Sequence, residues 1–239
     1  MAAITFFEDT WHDGSPRVIG PMTQSFMHGS TVFDGARAFA HQAPDLDLHC
    51  ARLLRSAEAM GLKSDLTVTA LCDLAIDGVK RFAADAELYI RPALWAEDGF
   101  LLPEGEARFS LTLFEAPMPA WHGATACLSS FRRPSPEVAP TGAKASCLYP
   151  NVARAMLEAR ERGFDMAVML DGLGNVAEFS TSNLFIAKNQ VVRTPVANGT
   201  FLAGITRARV IELLRRDGVQ VAEETVRFDD VLDADEVFL

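Results

Sequence analysis

Two periods organise the apolar positions of this chain, and the switches between them outline its elements. From 47 to 84 the period is helical: Asp47 to Met60 carries an apolar stripe stopped by Gly61, and between Leu66 and Ala84 the residues Leu71, Leu74, Ala75, Val79 and Phe82 share one face. Alternation then takes over in LYIRPALWA from Leu88 and ARFSLTLFEA from Ala107, the pattern of strands with one face on a core. Pro117, Pro119 and Gly123 break it, and Arg132 to Pro140 forms a second proline-rich connection. Beyond lie a strand from Ala124 to Phe131, a helix from Val152 to Arg162 ended by Gly163, and a strand from Met166 to Leu170. A GLGN turn leads into a strand that reaches Glu178. NLFIAKNQVVRTP reads as a hairpin, GITRARVIELLRRDG as a helix capped by Gly218, and VQVAEETV as a further strand.

This order predicts an α/β (α+β) chain in two parts: a small N-terminal α/β domain, residues 1–120, and a larger β-rich domain, residues 121–239. The closing run ADEVFL reads as a strand that stops without a turn or cap, so the C-terminal end is expected to be incomplete.

Composition narrows the function. With 239 residues, 49% of them hydrophobic, each part can bury a core. Acids outnumber bases 32 to 22 for a net charge of -10, and no Lys/Arg cluster is dense; the run FRRPSPE, for instance, is two arginines in a Pro-rich loop. No basic face for nucleic acid is expected. The amino terminus has acids and no basic leader, and no apolar run approaches a membrane span, which points to a soluble, cytoplasmic protein. The cysteines Cys50, Cys72, Cys127 and Cys147 form no CxxC pair, so no metal or redox centre is expected.

The candidate chemistry starts at Lys144, in TGAKASCLYPN. A lysine there is either a surface side chain with its ammonium in water or an amine able to form a Schiff base with an aldehyde cofactor or a carbonyl substrate. A lysine carrying pyridoxal phosphate (PLP) would need particular companions. They are a buried carboxylate for the ring nitrogen, a donor for the ring oxygen, and an arginine with a helix start for the phosphate. Glu178, Tyr149, Arg52 and the helix entry Gly204, Ile205, Thr206 are of the right kinds. Singly, each also has a plain explanation: a solvated hairpin carboxylate, a solvated helix arginine, or an ordinary N-cap.

The spacing of EFSTSNLF, VRT and LAGITR from Glu178 to Arg207 resembles the signature of the class IV aminotransferases, PLP enzymes of fold type IV. HGSTVFDGARAF, HCARLL, YIRP and GAKASCLY match further blocks of that family in order, so the resemblance spans essentially the whole chain. It implies a two-domain fold type IV enzyme in which Lys144 is the Schiff-base lysine and the acid/base at the substrate Cα. It further implies that Glu178 binds the ring nitrogen, that Tyr149 donates to the ring oxygen, and that Arg52, Gly204, Ile205 and Thr206 hold the phosphate. Ser180 and Thr181 would add to the cofactor shell.

Phe33, Arg37, Tyr89 and Arg91 look like the substrate residues of the branched-chain group. That implies transamination of a hydrophobic amino acid with 2-oxoglutarate through an imine on Lys144. His28 stands where that group usually has an aromatic and is similar to the (R)-amine transaminases, and KASCLY departs from the usual glycine-rich form. A D-amino acid or (R)-amine transaminase, or a lyase of the aminodeoxychorismate type, is therefore the alternative. A non-catalytic protein on the same scaffold would be marked by loss of Lys144 or Glu178, and both are present. The resemblance also implies small-molecule amino acid and 2-oxo acid substrates and a homodimer or higher homo-oligomer, with residues Phe26 to Phe33 at its interface.

Overall fold

The structure is a computed structural model that describes residues 2–120 and 122–239. The described residues divide into two compact units, the first running up to residue 120 and including Ala143–Cys147, the second made of residues 122–142 with Leu148–Leu239.

The first unit runs β1 (Ala3–Phe7), β2 (Thr10–Asp13), α1 (Gln24–His28), β3 (Thr31–Phe33), β4 (Ala36–Ala38), α2 (Leu46–Ala59), α3 (Val68–Val79), β5 (Leu88–Trp95) and β6 (Arg108–Glu115). Its six strands form one antiparallel sheet in the order β2-β1-β6-β5-β3, with β4 also paired to β5. Along β5 the alternation has its expected effect. Leu88, Ile90 and Leu94 are buried with Leu53, Ala57, Leu71 and Val79 of α2 and α3, whereas Tyr89 and Arg91 point to the other face.

α3 is shorter than the periodicity predicts. Thr67 caps its start by accepting from the Ala70 N–H, but after Val79 the chain turns, and the Phe82 N–H bonds back to Val79 O. The apolar stripe continues to Phe82, which packs on the same core from a turn.

The lysine segment, counted with the second domain in the sequence, packs in the first unit. Ala145 bridges Val32 of β3, the Phe33 N–H donates to Lys144 O at 3.1 Å, and the Lys144 N–H donates to Ser56 Oγ at 3.0 Å. Ala143 and Ala145 are buried in that core. The small residues either side of Lys144 therefore let the segment lie along β3 while the lysine points elsewhere.

The second unit comprises β7 (Ala126–Arg132), α4 (Tyr149–Glu161), β8 (Met166–Leu170), β9 (Val176–Phe179), β10 (Phe185–Lys188), β11 (Val191–Pro195), α5 (Ile205–Arg216), β12 (Gln220–Glu224), α6 (Phe228–Leu232) and β13 (Glu236–Phe238). β7, β8 and β9 make a three-stranded sheet covered by α4, whose Ala155 and Ala159 pack on Cys127, Ala167 and Met169. A four-stranded sheet has the order β12-β11-β10-β13, in which α5 links the parallel pair β11 and β12. Phe185 and Phe238 stack across β10 and β13 at 5.1 Å. Among the described residues no helix is long and apolar enough to cross a membrane.

Candidate active site

In the first unit, Lys144 lies on the aromatic face of the sheet. Its Nζ is 5.1 Å from the centre of the Phe33 ring, and Phe33 pairs with Ala93 of β5. Arg37 and Tyr89 are cross-strand partners, Tyr89 stacks on Phe114 at 5.3 Å, and the Arg91 guanidinium lies 4.9 Å over Phe114. The Arg37 Nη2 donates to Ala116 O. Between Phe33 and Arg37, Gly35 makes room for the Tyr89 hydroxyl, since a Cβ there would lie 1.9 Å from it. The structure thus gathers four of the five substrate candidates on the sheet face that carries the lysine. It does not gather His28, which is exposed at the end of α1.

Arg52 is buried on α2 and held by a residue that sequence reasoning missed. Its Nε and Nη2 donate to Asp34 Oδ2 and Oδ1 at 2.7 and 2.8 Å. Asp34 is fully buried in the turn between β3 and β4, and it also accepts from His49 Nδ1 and the Gly35 N–H, each at 2.7 Å. Burial pushes its carboxyl upward, but the hydrogen bonds from Arg52 and His49 outweigh that and hold it at about 2. The signal was available in the spacing of His49 and Arg52, three apart on one helix face, and in an acid set in an apolar run.

In the second unit, Glu178 occupies β9, where all four residues are buried, and is itself 7% exposed. Its Oε2 accepts from Asn183 Nδ2 at 3.1 Å, and its Oε1 is 3.2 Å from Arg133 Nε. Neither partner was singled out from the sequence. Ser180 follows, buried, with an Oγ that has no partner among the described residues, and the same holds for Ser182 Oγ, while Thr181 is exposed. α5 starts at Ile205 after the extended residue Gly204, so the N–H groups of its first turn, at Ile205 and Thr206, lack carbonyl partners within the helix. Tyr149 opens α4, partly exposed.

The first unit thus holds an amine against an aromatic wall, and the second holds a buried carboxylate and a helix start able to hold an anion. The family model for amino-transferase class IV matches residues 31–239. The chain belongs to the class IV aminotransferases. Among its relatives, the probable branched-chain-amino-acid aminotransferase of Aquifex aeolicus is 32% identical over 246 residues, covering 98% of this chain and 79% of that protein. The probable branched-chain-amino-acid aminotransferase of Rickettsia conorii is 31% identical over 222 residues, covering 89% and 74%. An aminotransferase from Brucella abortus, solved bound to the cofactor PLP, superposes with a TM-score of 0.97 at 48% identity, covering 100% of this chain and 86% of that one. The branched-chain amino acid aminotransferase of Escherichia coli superposes with a TM-score of 0.90 at 26% identity, covering 100% and 82%. This class IV aminotransferase accordingly has the mixed α/β architecture of fold type IV, and it is an enzyme of that PLP-dependent family.

Proposed function

We propose that this aminotransferase exchanges the amino group of a branched-chain or similar hydrophobic L-amino acid with 2-oxoglutarate, using PLP held by Lys144. The observation that carries the reading is the sheet face around Lys144, where Phe33, Tyr89 and Phe114 offer an apolar wall and Arg37 and Arg91 offer positive charge. A transaminase of this kind takes one apolar and one acidic side chain in turn, and such a face suits both. The branched-chain relatives support the same substrate class.

The residues present fit PLP. Glu178 is a buried carboxylate of the kind a protonated ring nitrogen needs, the buried Ser180 and Ser182 hydroxyls lie in the connection between β9 and β10, and the start of α5 is a helix entry of the kind a phosphate needs. When bound, PLP supplies an electron-accepting ring conjugated to the substrate Cα. Lys144 would hold the aldehyde carbon and move the proton at the substrate Cα, acting as base and then acid. Glu178 would keep the ring nitrogen protonated, Tyr149 would donate to the ring oxygen, and Arg52 with Ile205 and Thr206 would hold the phosphate, supported by Ser180 and Thr181. Asp34 would keep the Arg52 fork oriented from behind. The enzyme would work as a homodimer, a reading supported by Phe26 and Met27, which are large, apolar and exposed.

Absorption spectroscopy of desalted protein tests this reading. A visible band that is missing in Lys144→Ala and bleaches with L-leucine, together with glutamate formed from 2-oxoglutarate, is the expected result. A band that ignores L-amino acids and bleaches with D-alanine or an (R)-amine would overturn the substrate and keep the cofactor chemistry.

A further inference from the structure

Glu178 is held at both oxygens by side chains that also grip the loop leading into α5. Asn183 Nδ2 has two hydrogens, and it donates to Glu178 Oε2 and to Leu202 O, both at 3.1 Å. Arg133 Nε repeats the connection, lying 3.2 Å from Glu178 Oε1 and donating to Thr200 O at 3.3 Å. Gly204 completes the contact. A Cβ there would lie 2.0 Å from Asn183 Oδ1, yet its φ of -70° is open to any residue, so space and not backbone conformation calls for glycine.

We propose that Asn183 is a positioning residue that sets Glu178 at a fixed place relative to the start of α5, with Gly204 as the small residue its amide requires and Arg133 as a second strut. The inference rests on the reading of Glu178 as the partner of the ring nitrogen and of the α5 start as a phosphate site. The cofactor is rigid, so its ring nitrogen and its phosphate are grasped well only if those two groups stand at one separation. A side chain that ties one to the other sets that separation. The network is specific because a buried carboxylate left without donors is costly, so the geometry that satisfies it is strongly preferred.

The test compares the holoenzyme with Asn183→Ala, Asn183→Asp, Gly204→Ala, the Asn183→Ala/Gly204→Ala double variant and Glu178→Gln. Readouts are PLP retention by equilibrium dialysis, the visible spectrum, far-ultraviolet circular dichroism, and steady-state kcat and KM with L-leucine. Asn183→Ala is expected to weaken PLP retention about ten-fold or more, since it removes a hydrogen bond to a charged group. It should lower kcat while leaving KM for the amino donor within about two-fold, which is the mark of lost alignment as opposed to lost substrate binding. Asn183→Asp keeps the volume but sets a carboxylate against Glu178, and it should lose at least as much. Gly204→Ala should be damaging alone and nearly silent in the Asn183→Ala background, because the atom it strikes is gone.

Wild-type retention and spectrum in both Asn183 variants, with Glu178→Gln altering both, would overturn the brace and leave the role of Glu178 standing. Additive losses in the double variant would also overturn it. An unaltered Glu178→Gln protein would instead remove the reading on which the brace rests.

Discussion

Asp34 and Arg52 form a buried two-point ion pair, at 2.7 and 2.8 Å, that ties the β3–β4 turn to α2. Removing one partner of such a pair leaves a charge without compensation in the core. Asp34→Asn keeps the shape and one acceptor, and it is expected to destabilise the protein by about 3 kcal/mol in urea titration. It should also weaken PLP retention, because the guanidinium loses the anchor that orients it. A variant with wild-type stability would show that the pair is only coincident with the fold.

The same pair sets a pH dependence. Asp34 is held at about 2 in the folded protein against an ordinary 3.8, so the stability it contributes is present above the unfolded value and is lost as pH falls through the folded one. The stability at stake is about 2 kcal/mol, because each tenfold change in acidity is worth roughly 1.4 kcal/mol. The stability difference between wild type and Asp34→Asn should therefore narrow between about pH 4 and pH 2. A difference that stays constant over that window would count against the pair as its cause.

Gly35 and Tyr89 make a tighter prediction, because a Cβ on Gly35 would overlap the Tyr89 hydroxyl at 1.9 Å and its ring carbon at 2.6 Å. Gly35→Ala must push the ring off its stack on Phe114. The expected cost is about 1–3 kcal/mol of stability, together with a several-fold rise in KM for L-leucine, and Tyr89→Ala in the same chain should restore much of the stability. Unchanged kinetics would place Tyr89 outside the substrate face.

Much of this was legible in the chain because it is local. β8 spans Met166–Leu170 as its apolar run predicts, and the class IV motifs mark Glu178 and the α5 start by spacing alone. What escaped is non-local or carries weak turn chemistry. The β1–β2 hairpin turns through Glu8 and Asp9, both at positive φ, without the Asn-Gly pair that usually announces such a turn. β3 and β4 have three residues each, too few to show a period. Asp34, Arg133 and Asn183 act through partners distant in sequence or folded back by a turn, and no repeat in the chain reports such pairs. The packing of Ala143 and Ala145 against the first unit escaped for the same reason: two alanines beside a lysine have the composition of any loop until Val32 is brought alongside.

On the proposed substrates, Arg91 would separate the acidic side chain from the aliphatic one. It is exposed on the face opposite the core, its guanidinium 4.9 Å over Phe114 and 5.7 Å over Tyr89, whereas Arg37 is engaged by Ala116 O. A guanidinium over aromatic rings can meet the side-chain carboxylate of glutamate or 2-oxoglutarate, and it does little for an aliphatic side chain. Arg91→Leu keeps the stem's apolar contact and deletes the charge. It is expected to lower kcat/KM for L-glutamate about ten- to a hundred-fold, the worth of a charged hydrogen bond, while L-leucine changes by no more than about two-fold. Equal losses with both donors would assign Arg91 to the α-carboxylate that every amino acid shares, and the acidic side chain would then have to be met by Arg37.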